Sequence, residues 1–491
     1  MKHTLQKNIP QPIITVAQTI LDAGFECYIV GGCVRDLLLK IKPTDWDLTT
    51  NAKPEQIISL FEETFYENDF GTVGVVIDGV EDETLKVVEI TPYRLEGAYT
   101  NARHPDAVTF SDNLEDDLQR RDFTMNAIAL HPITGDIIDP YQGQDDIKDK
   151  VIRTVGNPND RFTEDALRIM RAVRFKAQLG FNVSPETFEA LKSNVPKLEH
   201  VSRERVRDEF SKMINSKDPM LGMKVSQETG VLAYIAKEFT DGIGCEQKGE
   251  HIYDVFDHLL HAVQHAADKN FPFHVRLAAL FHDIGKPKTR RPHPLKDKFT
   301  FYGHEVVGAK MTKKILEDLK FPKKTVDIVT KLVRHHMFFS DVEKITLSAV
   351  RRIIVGVGKD HIWDLMDVRE CDRVGMKKKE APYRLRKYHA MIEEALRDPI
   401  SVSQLAVDGE YLMHTMQMKP GPRMGWMLHA LLEEVLENPK LNTVEQLHER
   451  VLDLDELSDK ALRTLGEKGK ERKEKEDEEL VQSLRKKHGV K

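Results

Sequence analysis

The run Ile29-Val30-Gly31-Gly32-Cys33-Val34-Arg35-Asp36, followed by Asp45-Trp46-Asp47, constrains this chain more than any other stretch. A β-type segment runs into a Gly-Gly turn and then into a helical pattern. Such a turn lets backbone N–H groups approach a triphosphate, and the positive end of the helix favours its charge. Arg35 adds a fixed positive fork. In a strand, residues two apart point the same way, so Asp45 and Asp47 are expected to present two carboxylates on one face. That arrangement suits divalent metals in phosphoryl transfer, where one ion lowers the pKa of an attacking hydroxyl and another neutralises the leaving pyrophosphate. A third carboxylate is expected from a neighbouring strand, and Glu89, closing Lys86-Val87-Val88-Glu89, is the candidate.

Cys27-Tyr28-Ile29-Val30, Val73-Gly74-Val75-Val76-Ile77 and Lys86 to Ile90 read as strands among helical segments, which makes the first part a small α+β domain. From about residue 160 helical periodicity dominates, so the remainder is expected to be largely all-α. A chain of 491 residues calls for roughly three or four domains. Weak breaks fall near Asp241-Gly242-Ile243-Gly244 and near Gly375. The stretch from Gly466 to Lys491 is so rich in Lys, Glu and Arg that disorder or fraying is expected.

No run approaches the ~20 apolar residues of a membrane helix, and Met1-Lys2-His3-Thr4 lacks the apolar region of a signal peptide. A soluble cytoplasmic protein is the expectation. The four cysteines, Cys27, Cys33, Cys245 and Cys371, lack a C-x-x-C spacing and read as buried thiols. A net charge of −7 argues against a wholly basic nucleic-acid coat but leaves room for local basic tracks.

Together with Arg103-His104-Pro105 and Asp117-Leu118-Gln119-Arg120-Arg121-Asp122-Phe123-Thr124-Met125-Asn126-Ala127, these motifs resemble the nucleotidyltransferase superfamily, specifically the bacterial class II CCA-adding enzymes and poly(A) polymerases. The resemblance implies template-independent transfer of C and A from CTP and ATP to the 3′ end of tRNA, with Asp45, Asp47 and Glu89 catalytic and Mg2+ on Asp45 and Asp47. It also gives Arg121, Asp122 and Asn126 sugar and phosphate roles. On the residues alone, a surface salt bridge explains Arg120 and Asp122 equally well.

The segment from Arg161 to Phe175 reads as one helix with Thr163 as N-cap and Asp165 and Arg168 on a shared face. By itself the pattern is an intrahelical ion pair, including Glu164 with Arg168. It also resembles the E-D-x-x-R motif that pairs with the incoming base in class II CCA-adding enzymes. Cytosine and adenine each offer an amino donor beside a ring-nitrogen acceptor, which matches a carboxylate beside a guanidinium; uracil and guanine oppose both. Ala166 stands where bacterial poly(A) polymerases tend to carry proline, which favours the CCA-adding form.

His258, His282-Asp283, His304, His335-His336 and Asp372 make a second constellation. It resembles the HD superfamily of metal-dependent phosphohydrolases, whose core ligands match His258, His282, Asp283 and Asp372. The extra ligands of two-metal members match His304 and His335, with His336 as the alternative. Imidazole and carboxylate ligation suits Mn, Fe, Co, Ni or Mg, and the divalent metal is left open. Lys286 is a candidate for a substrate phosphate, Gly285 ends the turn, and His251, His261, His265 and His274 fall outside the pattern.

Two basic clusters could track phosphates. Arg161, Arg168, Arg171, Arg174 and Lys176 line the neck, where Arg171 and Arg174 join Glu164, Asp165 and Arg168 as nucleotide-binding candidates. Lys377-Lys378-Lys379 with Arg384, Arg386 and Lys387 is the candidate RNA contact, with Tyr383 and Tyr388 as stacking surfaces. The expected layout is an α+β nucleotidyltransferase head over 1–135, an all-α neck over 136–245, an HD domain over 246–375, a helical tRNA-binding tail over 376–455 and a flexible charged segment over 456–491. Alternatives are CC-only, A-only or poly(A) addition, and an HD phosphohydrolase with an inert head. Oligomeric state is left open.

Overall fold

A computed structural model of the chain describes residues 5–66, 71–96, 108–247, 251–293, 299–337, 345–377 and 382–467. The chain divides into two compact units, Met1–Ile235 and Ala236–Lys491.

The described residues of the first unit include nine short strands in the head, β1 (Cys27–Val30), β2 (Asp47–Thr50), β3 (Thr64–Tyr66), β4 (Val73–Val76), β5 (Val87–Pro92), β6 (Arg94–Glu96), β7 (Val108–Phe110), β8 (Ala129–Leu130) and β9 (Ile137–Ile138), and the neck expected to be all-α adds a two-residue parallel pairing of Val151–Ile152 with Asn182–Val183. Seven of the nine form one sheet in the order β3-β4-β5-β2-β1-β8-β9, while β6 and β7 pair separately. Only β2 and β5 run parallel in that sheet; every other neighbour is antiparallel. The strands alternate as a half-buried sheet should. Ile29, Leu48, Val88 and Ile90 are fully buried, while Glu89 between them is exposed. The head boundary expected at 135/136 falls inside the β8–β9 hairpin, so the sheet extends through Ile138.

Helix α1 (Gly32–Leu38) follows β1 directly. The helix expected from Arg161 to Phe175 is two helices, α2 (Pro158–Glu164) and α3 (Leu167–Leu179), broken at Asp165, whose φ of −140° and ψ of 103° are extended. The N-cap is Asn157, which accepts from Asn159 N with Pro158 opening the helix, and not Thr163. Thr163 instead lies inside the turn and bonds back to Asn159 O at 2.6 Å. Helix α4 (Arg203–Ile214) packs on α3.

Among the described residues the second unit is helical apart from the two-residue pairing of Arg291–Pro292 with Phe299–Thr300 and an isolated bridge between His251 and Met376. Its site helices are α5 (Val255–Asp268), α6 (Phe273–Phe281), α7 (His304–Asp318), α8 (Lys323–His335) and α9 (Ile362–Asp372). Further on, α10 (Pro422–Glu437) packs against α11 (Asp459–Glu467). The segment expected to be flexible from 456 is therefore helical as far as Glu467, because fully buried Leu462 anchors it. Residues 468–491 lie outside the described residues. All four cysteines are free and buried. Among the described residues no helix is long and apolar enough to cross a membrane.

Candidate functional site

Strand pairing sets the first site. The parallel ladder puts Asp47 opposite Glu89, and the antiparallel one puts Val30, the residue before the Gly-Gly turn, opposite Asp47 on its other side. Asp45 is exposed and lies just outside the strand, so it reaches the site from the bend before β2 and not from the strand face expected. Burial pushes the Asp47 carboxyl up to about 6; Arg121 opposes this and Asp45 adds to it. Gly31 has a φ of +81°, and a Cβ there would meet Asp47 Oδ2 at 3.1 Å and Arg121 Nη1 at 3.2 Å. Any side chain would fill the space between turn and carboxylate.

Arg35 is buried and turned inward: Nε and Nη2 donate to Asp36 Oδ1 at 2.9 and 2.7 Å, and Nη1 donates to Asn126 Oδ1 at 3.0 Å. The fork expected to face a phosphate thus ties the glycine turn to the Asp122–Asn126 segment. Asp122 accepts from Phe123 N, Asn126 Nδ2 and Arg171 Nε at 2.8, 3.0 and 2.6 Å. Burial opposes its charge, but Arg171 and Asn126 prevail and hold its carboxyl down to about 2. Arg120 and Arg121 both pair with buried Asp117, so the alternative of a surface bridge between Arg120 and Asp122 does not hold.

Arg120, Arg121, Arg168, Arg171 and Arg205, with Asp122, Asp165 and Leu167, line a cavity of about 210 Å³. Asp165 does not share a helix face with Arg168; it sits in the break between α2 and α3, where Arg205 of α4 holds it. Arg168 Nη1 donates to Glu164 Oε2 at 2.6 Å, so the pair expected within one helix instead bridges the break from α3 to α2, and Nη2 donates to Arg120 O at 2.9 Å. Arg174, expected among the nucleotide contacts, is buried on Glu209 at 2.5 Å and stacks over Phe175 at 3.8 Å. It anchors α3 to α4. Arg205 went unnoticed in the sequence, having no local pattern to mark it.

The second unit gathers its histidines around Asp283. His258 Nε2 lies 3.1 Å from His282 Nε2, and Asp283 Oδ2 and Asp372 Oδ1 are each 3.3 Å from His258 Nε2. The same two oxygens are 3.3 and 3.4 Å from His282 Nε2. A four-ligand ion with bonds of ~2.0–2.1 Å would have edges of about 3.3 Å. On the other oxygen, Asp283 Oδ1 lies 3.2 Å from His304 Nε2 and 3.6 Å from His336 Nε2. His336, not His335, therefore completes this group; His335 is half-buried and belongs to neither set.

His282, His304 and His336 each place Nδ1 2.7–2.8 Å from a backbone carbonyl, of Ala279, Phe301 and Val333 respectively. A carbonyl only accepts, so Nδ1 carries the proton and Nε2 is left as a bare lone pair. With ring nitrogens 3.1–3.2 Å apart and buried Asp283 among them, this group could hold a cation. Gly285 is the last residue of the turn 282–285 and has an ordinary φ of −79°, so close packing and not backbone strain calls for glycine: a Cβ there would sit 2.3 Å from His304 O, where α7 crosses. Lys286, offered for a phosphate, is buried on Asp283 and Gln247.

Of the second basic cluster, Lys377 and Arg386 are exposed and Lys387 is half-buried, while Arg384 lies in the helix Pro382–Ala395. Tyr388 is fully buried and cannot stack on a base. Lys378, Lys379 and Arg103-His104-Pro105 lie outside the described residues.

Three family models match the chain: the poly A polymerase head domain over residues 27–153, the probable RNA and SrmB-binding site of polymerase A over 180–243, and the HD domain over 249–374. A CCA-adding enzyme of Geobacillus sp. (strain WCH70) is 43% identical over 236 residues, 48% of this chain and 55% of that protein. One from Lactobacillus helveticus (strain DPC 4571) is 49% identical over 199 residues, 40% and 48% of the two chains. The matched stretch thus spans about half the length of these curated relatives. Among solved structures, the Bacillus stearothermophilus CCA-adding enzyme in complex with CTP aligns with a TM-score of 0.68 at 27% identity, over 91% of this chain and 98% of that one. The Thermotoga maritima CCA-adding enzyme complexed with tRNA shares the fold, with a TM-score of 0.54 at 18% identity over 92% and 97%.

Proposed function

We propose that this chain, which matches the poly A polymerase head and HD family models and is similar to CCA-adding enzymes, adds C and A from CTP and ATP to the 3′ end of tRNA without a template. The observation that carries this reading is the ladder that sets Asp47 beside Glu89 next to a glycine turn stripped of side chains. Asp45, Asp47 and Glu89 would hold Mg2+. When bound, the ions lower the pKa of the attacking 3′-hydroxyl and neutralise the departing pyrophosphate.

The chain's own residues position the reactants. Gly31 and Gly32 leave backbone N–H groups open to the triphosphate, and Arg121 lends charge beside them. Asp122, held by Arg171 and Asn126, fixes the floor beneath the sugar. Asp165 accepts from the base amino group and Arg168 donates to the ring nitrogen, which selects cytosine and adenine over uracil and guanine. Exposed Lys377 and Arg386, with Lys378, Lys379, Arg384 and Lys387 around them in sequence, would follow RNA phosphates. In this reading the head runs through Ile138 and is followed by the neck, the HD domain, a tRNA-binding tail and the charged end, and the cytoplasm is the compartment such a substrate implies.

To test this, the full chain is incubated with tRNA transcripts ending before CCA, after its first C or after its second. Each labelled NTP is supplied singly and then together, and the products are sequenced. Ordered C, C, A addition is expected; a homopolymeric A tail, or no incorporation, would overturn the reading.

For the second unit we propose hydrolysis of phosphate esters or 2′,3′-cyclic phosphates at a two-ion centre of His258, His282, Asp283, His304, His336 and Asp372. The support is Asp283, whose two buried oxygens face separate histidine pairs, the arrangement of a bridging ligand.

A further inference from the structure

Away from the HD centre, His274 Nε2 lies 2.8 Å and His361 Nδ1 lies 2.7 Å from one oxygen, Asp364 Oδ2. The rings stand edge to face with centroids 5.7 Å apart, and the three possible ligand atoms lie within 4.8 Å of one another. Two imidazoles and a carboxylate, with a fourth position left to water, are a common zinc donor set. Nitrogen donors also favour such an ion over Mg or Ca, which prefer oxygen. The side chains are 26%, 28% and 17% exposed, so an ion can reach them from solvent. Widening the contacts to the ~3.3 Å edges of a bound zinc moves each group by about half an ångström.

The placement gives the cluster a purpose. His274 is the second residue of α6 and Asp364 the third of α9, while His361 closes the turn Lys359–His361 that leads into α9. Helix α6 delivers His282 and Asp283 at its far end, and α9 ends on Asp372. His274 precedes His282 by eight residues and Asp364 precedes Asp372 by eight, so each helix spans about 12 Å between the two clusters. The helices pack side by side. A tie at their starts sets their axial register, and that register decides whether His282 and Asp283 meet Asp372.

We propose that His274, His361 and Asp364 form an additional divalent-metal site, of the zinc class, that locks α6 to α9 and positions the HD ligands from behind. The test strips the full chain of metal and titrates it with ZnCl2 and with CoCl2, reading stoichiometry by calorimetry and cobalt coordination by visible absorption. Wild type should bind one more equivalent than His361→Ala or Asp364→Asn, with the lost equivalent carrying the intense bands of a low-coordinate cobalt ion. Nucleotide addition by both variants should be unchanged. Equal stoichiometry in wild type and both variants overturns the proposal and leaves a hydrogen-bonded staple. Should either variant fail to fold, anomalous scattering at the zinc edge from zinc-soaked wild-type crystals decides: a peak among the three residues supports the site, and peaks confined to the HD centre overturn it.

Discussion

Arg205 grips Asp165 end-on, with Nη1 3.1 Å from Oδ1 and Nη2 2.7 Å from Oδ2. A bidentate fork fixes the plane of a carboxylate as well as its position. Asp165 therefore enters the cavity with its orientation set by a residue forty positions away, and under the function proposed above Arg205 would be a positioning residue for base choice.

Arg205→Ala is expected to erode discrimination of CTP over UTP and of ATP over GTP by roughly one decade. A hydrogen bond to a charged group contributes about 1.5–3 kcal/mol, and the lower figure suits a side chain that is partly exposed. Single-turnover incorporation of all four nucleotides measures it, with Asp165→Ala as reference at one to two decades. Unchanged ratios in both variants would return the pair to a structural role.

Asp47→Asn is expected to reduce nucleotide addition by at least about a thousandfold, while thermal melting and phosphate-ester hydrolysis by the second unit stay intact. The charge that would hold a metal against developing negative charge is gone, but the shape remains. Addition within tenfold of wild type would remove Asp47 from the chemistry.

The adjacent histidines should separate cleanly. His336→Ala is expected to lose bound metal and hydrolysis, and His335→Ala to lose neither, because only the first reaches Asp283. Metal content by mass spectrometry, alongside hydrolysis rate, compares them; equal losses in both variants would contradict the geometry.

Asp122 should contribute to acid stability. Its folded pKa of about 2 lies below the ordinary ~3.9, so its contribution is present above about pH 4 and is lost as pH falls through about 2. The shift corresponds to about 2–3 kcal/mol. Asp122→Asn should be less stable near neutrality and show a flatter acid-unfolding curve between pH 4 and 2; parallel curves would mean that Arg171 does not stabilise its charge.

How far the sequence could be read depended on whether a contact was local. The glycine turn, the strands and the acidic order in the head were legible because each is a short-range pattern. The break at Asp165 was not, since residues 161–175 keep helical periodicity and no breaker residue; Arg205 and the cavity it lines decide it from α4. The choice between His335 and His336 was recoverable. Buried Val326, Val329 and Val333 mark the inner face of α8, and continuing that spacing lands on His336. The cluster of His274 with Asp364 had no such signal, because ninety residues separate its halves.

The pairing of β2 with β5, the one parallel step among the described residues of the seven-stranded sheet, leaves the rest of the head unusually free to vary. Everything between Asn51 and Lys86, two further strands included, is a detour the chain takes before returning to the same ladder. Residues can be gained or lost in the turns of that excursion without disturbing Asp47 and Glu89, though not within β4, whose Gly74 pairs with Glu89. One residue gained or lost inside β5 itself would exchange Glu89 for a buried neighbour, Val88 or Ile90, and erase the acidic pair. Length variation among natural or engineered versions of this head should accordingly collect in the excursion and stop abruptly at Val87.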